Sequence, residues 1–173
     1  EVFGKEFFKL NFGEAIEQGL LTDYQVIIVG VDDPMIGEWI ESRKLVTTNS
    51  GDITDAESLA NQIGLIKAIK KYDLKRMISF HSRVKRAKEF SSNLQDAIDV
   101  VPKEHRPKGS IWTDFVSGEM TAYERRLKLG QLKELSGGDR GLLSNAKCLS
   151  EGVDVPSLDG VAFIDPKSSS TDI

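Results

Sequence analysis

The chain has 173 residues, 39% hydrophobic and 29% charged, with a formal net charge of −4. That length suits one α/β domain with a real core and is short for two, and the composition excludes an intrinsically disordered chain. No apolar run approaches the roughly 20 residues of a membrane span and no signal-peptide pattern opens the sequence, so a cytoplasmic location is expected; the single cysteine, Cys148, excludes an intrachain disulfide or a cysteine zinc cluster.

Val2 to Leu10 reads as a strand or extended arm, and Phe12 to Leu20 as a short helix ended by Gly19. Tyr24 to Val31 is a β-rich apolar run closed by Asp32-Asp33-Pro34, which predicts a strand. Met35 to Ser50 has helix-like fragments without a clear period. Thr54-Asp55-Ala56-Glu57 has the capping-box form, and Leu59, Ile63, Ile66 and Ile69 follow at helical spacing, predicting a helix to about Tyr72. Arg76 to Phe80 is the next strand, after which Ser82 is expected to cap a helix burying Val84, Ala87, Phe90 and Leu94. Ser110 to Val116 alternates as a strand, and Thr121 to Glu124 forms a second capping box opening a helix to about Leu135. Ser136-Gly137-Gly138-Asp139 breaks that helix.

The final stretch runs from an apolar strand (Gly141, Leu142, Leu143) into a small polar turn, Ser144-Asn145-Ala146. A helix-sized segment holding Cys148 as a small packed residue comes next, then Glu151-Gly152-Val153-Asp154, a second apolar run from Val161 to Ile164, and Asp165-Pro166. Strands thus alternate with helices, the pattern of βαβ units on a mostly parallel sheet. Three strand-to-helix junctions carry small or polar residues: Phe80-His81-Ser82-Arg83, Val116-Ser117-Gly118 and Leu143-Ser144-Asn145. In a parallel sheet all three lie at carboxyl ends of strands and should converge on one edge. Serine, glycine and the first N–H groups of a helix donate hydrogen bonds without bulk, as a phosphodiester backbone requires. His81 reads as a packed strand-end residue rather than an acid or base. Lys67, Lys70, Lys71, Lys75, Arg76, Arg83, Lys85, Arg86 and Lys88 form a basic stretch that is either a phosphate-binding face or a pair of solvated helix faces.

The order of these junctions resembles the second RecA-like domain of superfamily 2 helicases, in the restriction and repair branch. Met77 to Ser82 looks like motif IV. Val116-Ser117-Gly118, before a helix carrying Arg125 and Arg126, is similar to the backbone-contacting segment that precedes motif V. Ser144-Asn145-Ala146 with Glu151-Gly152-x-Asp154 looks like motif V, and Phe12 to Tyr24 resembles the linker that enters this domain. The resemblance implies a RecA-like three-layer α/β sandwich, with helices on both faces of a mostly parallel sheet. It implies an entering linker over residues 1–22 and the domain over 23–173, ending before motif VI. It implies backbone contacts to nucleic acid from Ser82, Arg83, Ser117, Gly118, Ser144 and Asn145, and an ATP side formed by Glu151, Gly152 and Asp154. ATP and Mg²⁺ would be held mainly by a first RecA-like domain, which is also the expected partner within the parent chain.

DNA is favoured over RNA because the Glu-Gly-x-Asp form and the entry linker look like the restriction and repair branch. The sequence holds no Gly-x-x-x-x-Gly-Lys-Ser/Thr phosphate loop and no segment like motif VI, and its ends look cut. The expectation is an excised part of a helicase or translocase that does not hydrolyse ATP alone. A different class remains open: a stand-alone Rossmann-like module for a phosphate ligand or a protein partner, although no Gly-x-Gly-x-x-Gly follows a strand. An α/β hydrolase is disfavoured by the missing Gly-x-Ser-x-Gly elbow.

Overall fold

The computed structural model describes residues 10–30, 56–146, 148 and 158–165. Its elements are α1 (Phe12–Glu17), α2 (Ala56–Lys71), β1 (Arg76–His81), α3 (Val84–Val100), a 3₁₀ turn (Lys103–His105), β2 (Ile111–Ser117), α4 (Ala122–Lys133), β3 (Arg140–Ala146) and β4 (Gly160–Phe163). The four strands form one all-parallel sheet in the order β2-β3-β1-β4. Because β3 lies between β1 and β2, the chain crosses the sheet one way from β1 to β2 and returns from β2 to β3. Right-handed crossovers then require α3 and α4 to cover opposite faces.

The two cores obey that geometry. Successive residues of a strand point to opposite faces, so Met77 and Leu142 meet α2 and α3, packing with Ile63, Ile66, Phe90 and Leu94. Ile78, Val116 and Leu143 face the other way, onto Leu132 of α4. β3 is buried along its whole length, which is why it reads as an apolar run rather than an alternating one. This is the α/β sandwich with helices on both faces that the sequence predicts.

At the amino edge, Arg140 ties three strand entrances together. Its guanidinium donates to the carbonyls of Leu74 (2.6 Å) and Lys108 (2.9 Å) and pairs with Asp73 (2.5 Å). The Arg140 guanidinium holds the Asp73 carboxyl below its ordinary range, chiefly by that hydrogen bond. Asp159 does a similar job for β4, accepting from the backbone N–H groups of Lys75 (3.0 Å) and Arg76 (2.8 Å).

Helix ends follow the sequence unevenly. Thr121 and Glu124 form the expected reciprocal capping box, and α1 has one between Asn11 and Glu14. The Thr54 box lies outside the described residues. Ser82 does not cap α3: the N-cap is Arg83, without a side-chain cap, because the Ser82 hydroxyl donates to Asp165 instead. The strand expected over Tyr24 to Val31 is also corrected. Residues 24–30 are irregular, with Ile28 93% exposed, and no described strand pairs with them. β propensity is expressed through pairing and packing, and an apolar run without a ladder partner does not make a strand. Val2 to Lys9, Met35 to Ser50 and residues 147–157 lie outside the described residues, apart from Cys148.

Gly109 and Gly137 both adopt positive φ (82° and 68°). A Cβ on Gly109 would strike the Gly138 carbonyl group, whereas one on Gly137 meets open space. Gly137→Ala is expected to cost about 1 kcal/mol from backbone strain alone, and Gly109→Ala more than about 2 kcal/mol. Equal losses in denaturant titrations of the two variants would contradict the close approach of the β2 and β3 entrances.

Candidate nucleic-acid interface

The carboxyl edge of the sheet is built by register. Ala146, the last residue of β3, is the pairing partner of both His81 and Ser117, the last residues of β1 and β2. Three parallel strands therefore end level. Beyond them lies a cleft of about 320 Å³ lined by Arg83, Val84, Gly118, Glu119 and Ala146. It draws on the first two junctions singled out in the sequence and on Ala146, the residue after the third.

Two of the expected contact residues, Arg83 and Gly118, line this cleft. Arg83 sits in extended backbone (φ −134°, ψ 144°) as the N-cap of α3, whose first turn contains no acidic residue. The first N–H groups of that helix have no side-chain cap and attract anions through the helix dipole. α4 differs, since its own capping box already closes its first turn. Gly118 is exposed in the turn after β2 and presents backbone without a side chain.

The other expected contacts are placed differently. Ser82 directs its N–H (2.6 Å) and its hydroxyl (2.7 Å) to Asp165. Ser117 is buried as the last residue of β2. Ser144 and Asn145 do not form a polar turn but belong to β3, with 0% and 1% exposure. β3 is paired on both sides through Ala146, so the ladder carries the chain past the point where its composition changes. Ser144 accepts a hydrogen bond from Ser79 (3.1 Å), and the Asn145 side-chain oxygen Oδ1 accepts from the Cys148 N–H (3.3 Å) and thiol (3.0 Å). Burial pushes the Cys148 thiol up. Glu151, Gly152 and Asp154 lie outside the described residues.

Under the cleft runs a polar seam that the sequence only half announces. His81 is buried, its ring 4.8 Å from that of Phe90, with Nε2 3.0 Å from the Ser79 hydroxyl. With Ser79 donating to Ser144, the neutral Nε2–H tautomer satisfies the chain of bonds. Burial lowers the His81 pKa to about 4; the Asp165 charge opposes this and Arg86 adds to it. The residue missed altogether is Asp165. It follows β4 just as Ser82 follows β1, so the strand-end rule applied to the fourth strand would have found it.

The basic stretch is not one face. α2 ends at the entrance of β1, so Lys70, Lys71 and Lys75 lie at the amino edge, while Arg83, Lys85 and Arg86 follow its exit. A six-residue strand separates the two groups by roughly 20 Å. Among the described residues no three His, Cys, Asp or Glu side chains cluster as metal ligands, and no helix is long and apolar enough to cross a membrane.

A parallel sheet with covered faces, a return crossover through its centre and three level strand ends make an open α/β sandwich, the architecture that RecA-like domains share. No protein-family model and no curated protein matches the sequence. A solved structure with this fold is that of the ATP-dependent Type ISP restriction-modification enzyme LlaBIII bound to DNA, with a TM-score of 0.78 and 23% identity over 96% of this chain. This chain spans 11% of the length of that one. The likeness is one of fold.

His81 has a measurable signature. Its folded pKa, about 4, lies below the ordinary 6.5, so between those values the unfolded chain binds a proton that the folded one does not. Its contribution is intact above pH 6.5 and is lost on acidification towards pH 4, by at most roughly 3 kcal/mol. Denaturant titrations at pH 7 and pH 5 should show a smaller acid loss in His81→Gln than in the parent. An identical loss in both would place the titrating group elsewhere.

Proposed function

We propose that this chain is the nucleic-acid-tracking half of an ATP-dependent DNA translocase or helicase of the restriction type. The observation that carries the reading is the level ending of β1, β3 and β2, which sets Arg83 and Gly118 on one cleft beside the uncapped N-terminus of α3. A cation, a bare backbone turn and a helix dipole together suit a phosphate of a single strand. The DNA-bound state of the LlaBIII structure supports DNA as the partner.

The roles we assign are graded by burial. Arg83 and the Gly118 backbone touch the phosphate chain. Ser82 stands beside them, and Ser117, Ser144 and Asn145 act by position, holding the strand exits close without bulk. Glu151, Gly152 and Asp154 are assigned to the ATP side on their likeness to motif V. ATP, when bound with Mg²⁺ between this domain and a first RecA-like domain, would supply the free energy of hydrolysis. A ligand drives domain closure only through preferential binding to the closed state, which requires groups on this half to meet it. Without a phosphate loop in the sequence, the chain alone should not turn over ATP.

Single-stranded DNA should bind the chain weakly at low salt, with affinity falling as salt rises. Arg83→Ala should weaken binding on the order of tenfold and reduce the salt slope by about 0.7, the value for one lost phosphate contact on a single strand. The double variant Lys70→Ala/Lys71→Ala removes two cations from the opposite edge and should leave the Arg83-dependent contact intact. Loss of binding in the lysine variant equal to that in Arg83→Ala, or no binding by the parent at low salt, would refute this placement.

A further inference from the structure

Asp165 is the buried charge at the carboxyl edge that the contacts proposed above do not use. Its side chain is 7% exposed, and it holds three donors. The Ser82 N–H lies at 2.6 Å and the Ser82 hydroxyl at 2.7 Å from Oδ2, and Arg86 Nη1 lies at 2.6 Å from Oδ1. The chain is guided there by β4: the Ile164 N–H donates to the Phe80 carbonyl (3.2 Å), extending the β1 ladder to the residue before Asp165.

A buried carboxylate is costly unless it is paired and hydrogen-bonded, and here both conditions are met. Burial pushes its pKa up, but the hydrogen bonds from Ser82 and Arg86 outweigh that and hold the carboxyl below its ordinary range. The site is therefore an anchored anion, and what it anchors is the first residue beyond β1.

We propose that Asp165 is a positioning residue for the nucleic-acid-facing loop: it fastens the exit of β4 to Ser82 and Arg86 and so fixes Arg83, between them, against the cleft. Three features support this. Both Ser82 donors are turned to Asp165, so the loop's geometry is set from the neighbouring strand rather than by its own cap. Arg83 has no side-chain capping bond of its own to fix its backbone. Arg86, one turn into α3, closes the other side of the clamp through its ion pair. A loop pinned on both sides of one residue leaves that residue few backbone alternatives. The proposal rests on the reading of Arg83 as a DNA contact, but the clamp itself can be tested without DNA.

The experiment uses the full chain and two readouts. In Asp165→Asn, amide hydrogen exchange at Ser82 should accelerate about tenfold or more while Ile78, within β1, keeps its protection. Unchanged exchange at Ser82 would overturn the clamp whatever the chain binds. In parallel, affinity for a short single-stranded DNA is measured for Arg83→Ala, Asp165→Asn and the double variant. Asp165→Asn should weaken binding about three- to tenfold, and the double variant should bind no more weakly than Arg83→Ala alone, since Asp165 acts through that residue. Additive losses, or an Arg83 effect with none from Asp165, would overturn this proposal and leave the DNA reading standing. No binding by the parent chain would overturn the DNA reading and the positioning role together. If Asp165→Asn does not fold, Asp165→Glu, which keeps the charge but displaces it by a methylene, enters the same cycle with the same expectations.

Discussion

β3 is hydrogen-bonded along both edges and buried on both faces, and most of the remaining structure follows from that position. A central strand must be apolar towards each covered face, which accounts for Leu142 on one side and Leu143 on the other. Its insertion between β1 and β2 reverses the direction of the crossover and sends α3 and α4 to opposite faces. Its register fixes where the neighbouring strands stop, so the three exits align. Arg140, its first residue, secures the other end by binding the chain just before β1 and just before β2. One strand thus sets the layers, the entrances and the exits.

The electrostatics follow the same frame. The chain is acidic overall, so the phosphate-binding edge proposed above would have to be made locally, and net charge says little about it. β1 divides a continuous basic stretch between two ends of the sheet, which leaves only part of it near the cleft. What distinguishes the carboxyl edge is the combination of Arg83 with an uncapped helix start, beside a second helix whose start is already closed. Beneath it, Ser79, His81 and Ser144 satisfy one another in the interior. An unpaired polar group there would be costly, and a neutral imidazole avoids adding a buried charge under the cleft.

How much of this is readable in the chain depends on whether the signal is periodic or conditional. Leu59, Ile63, Ile66 and Ile69 announce a buried helical stripe, Thr121 with Glu124 announces a helix start, and both are found as expected. The class of fold follows from their alternation with short apolar strands. Ser144 and Asn145 mislead because small polar residues favour turns in isolation, whereas two flanking strands hold them in the ladder and Ser79 and Cys148 satisfy their side chains. The run from Tyr24 fails in the opposite sense: it has strand composition but no strand beside it among the described residues. Ser82 as a helix cap is overridden by a carboxylate 83 positions away. Each miss is a case where a long-range partner, present or lacking, decides a local preference.

The buried Ser144 and Asn145 also bear on how such an edge can work. A contact residue has to be exposed, and these are not; the ladder sets the spacing of the exits, and the small side chains of Ser144 and Asn145 fit the interior beside it. Bulk at Ser144 would have to displace Ser79 or Phe90's neighbour His81, and so disturb the β1 exit before it reached any ligand. The binding proposed for this edge therefore depends on the aligned exits as well as on the Arg83 side chain that one of them carries. In the role proposed above, such an edge would respond to displacement of a whole strand end, because the ladder and the seam would carry it to Arg83. That is the mechanical behaviour a domain needs if its grip is to change when it moves as a body.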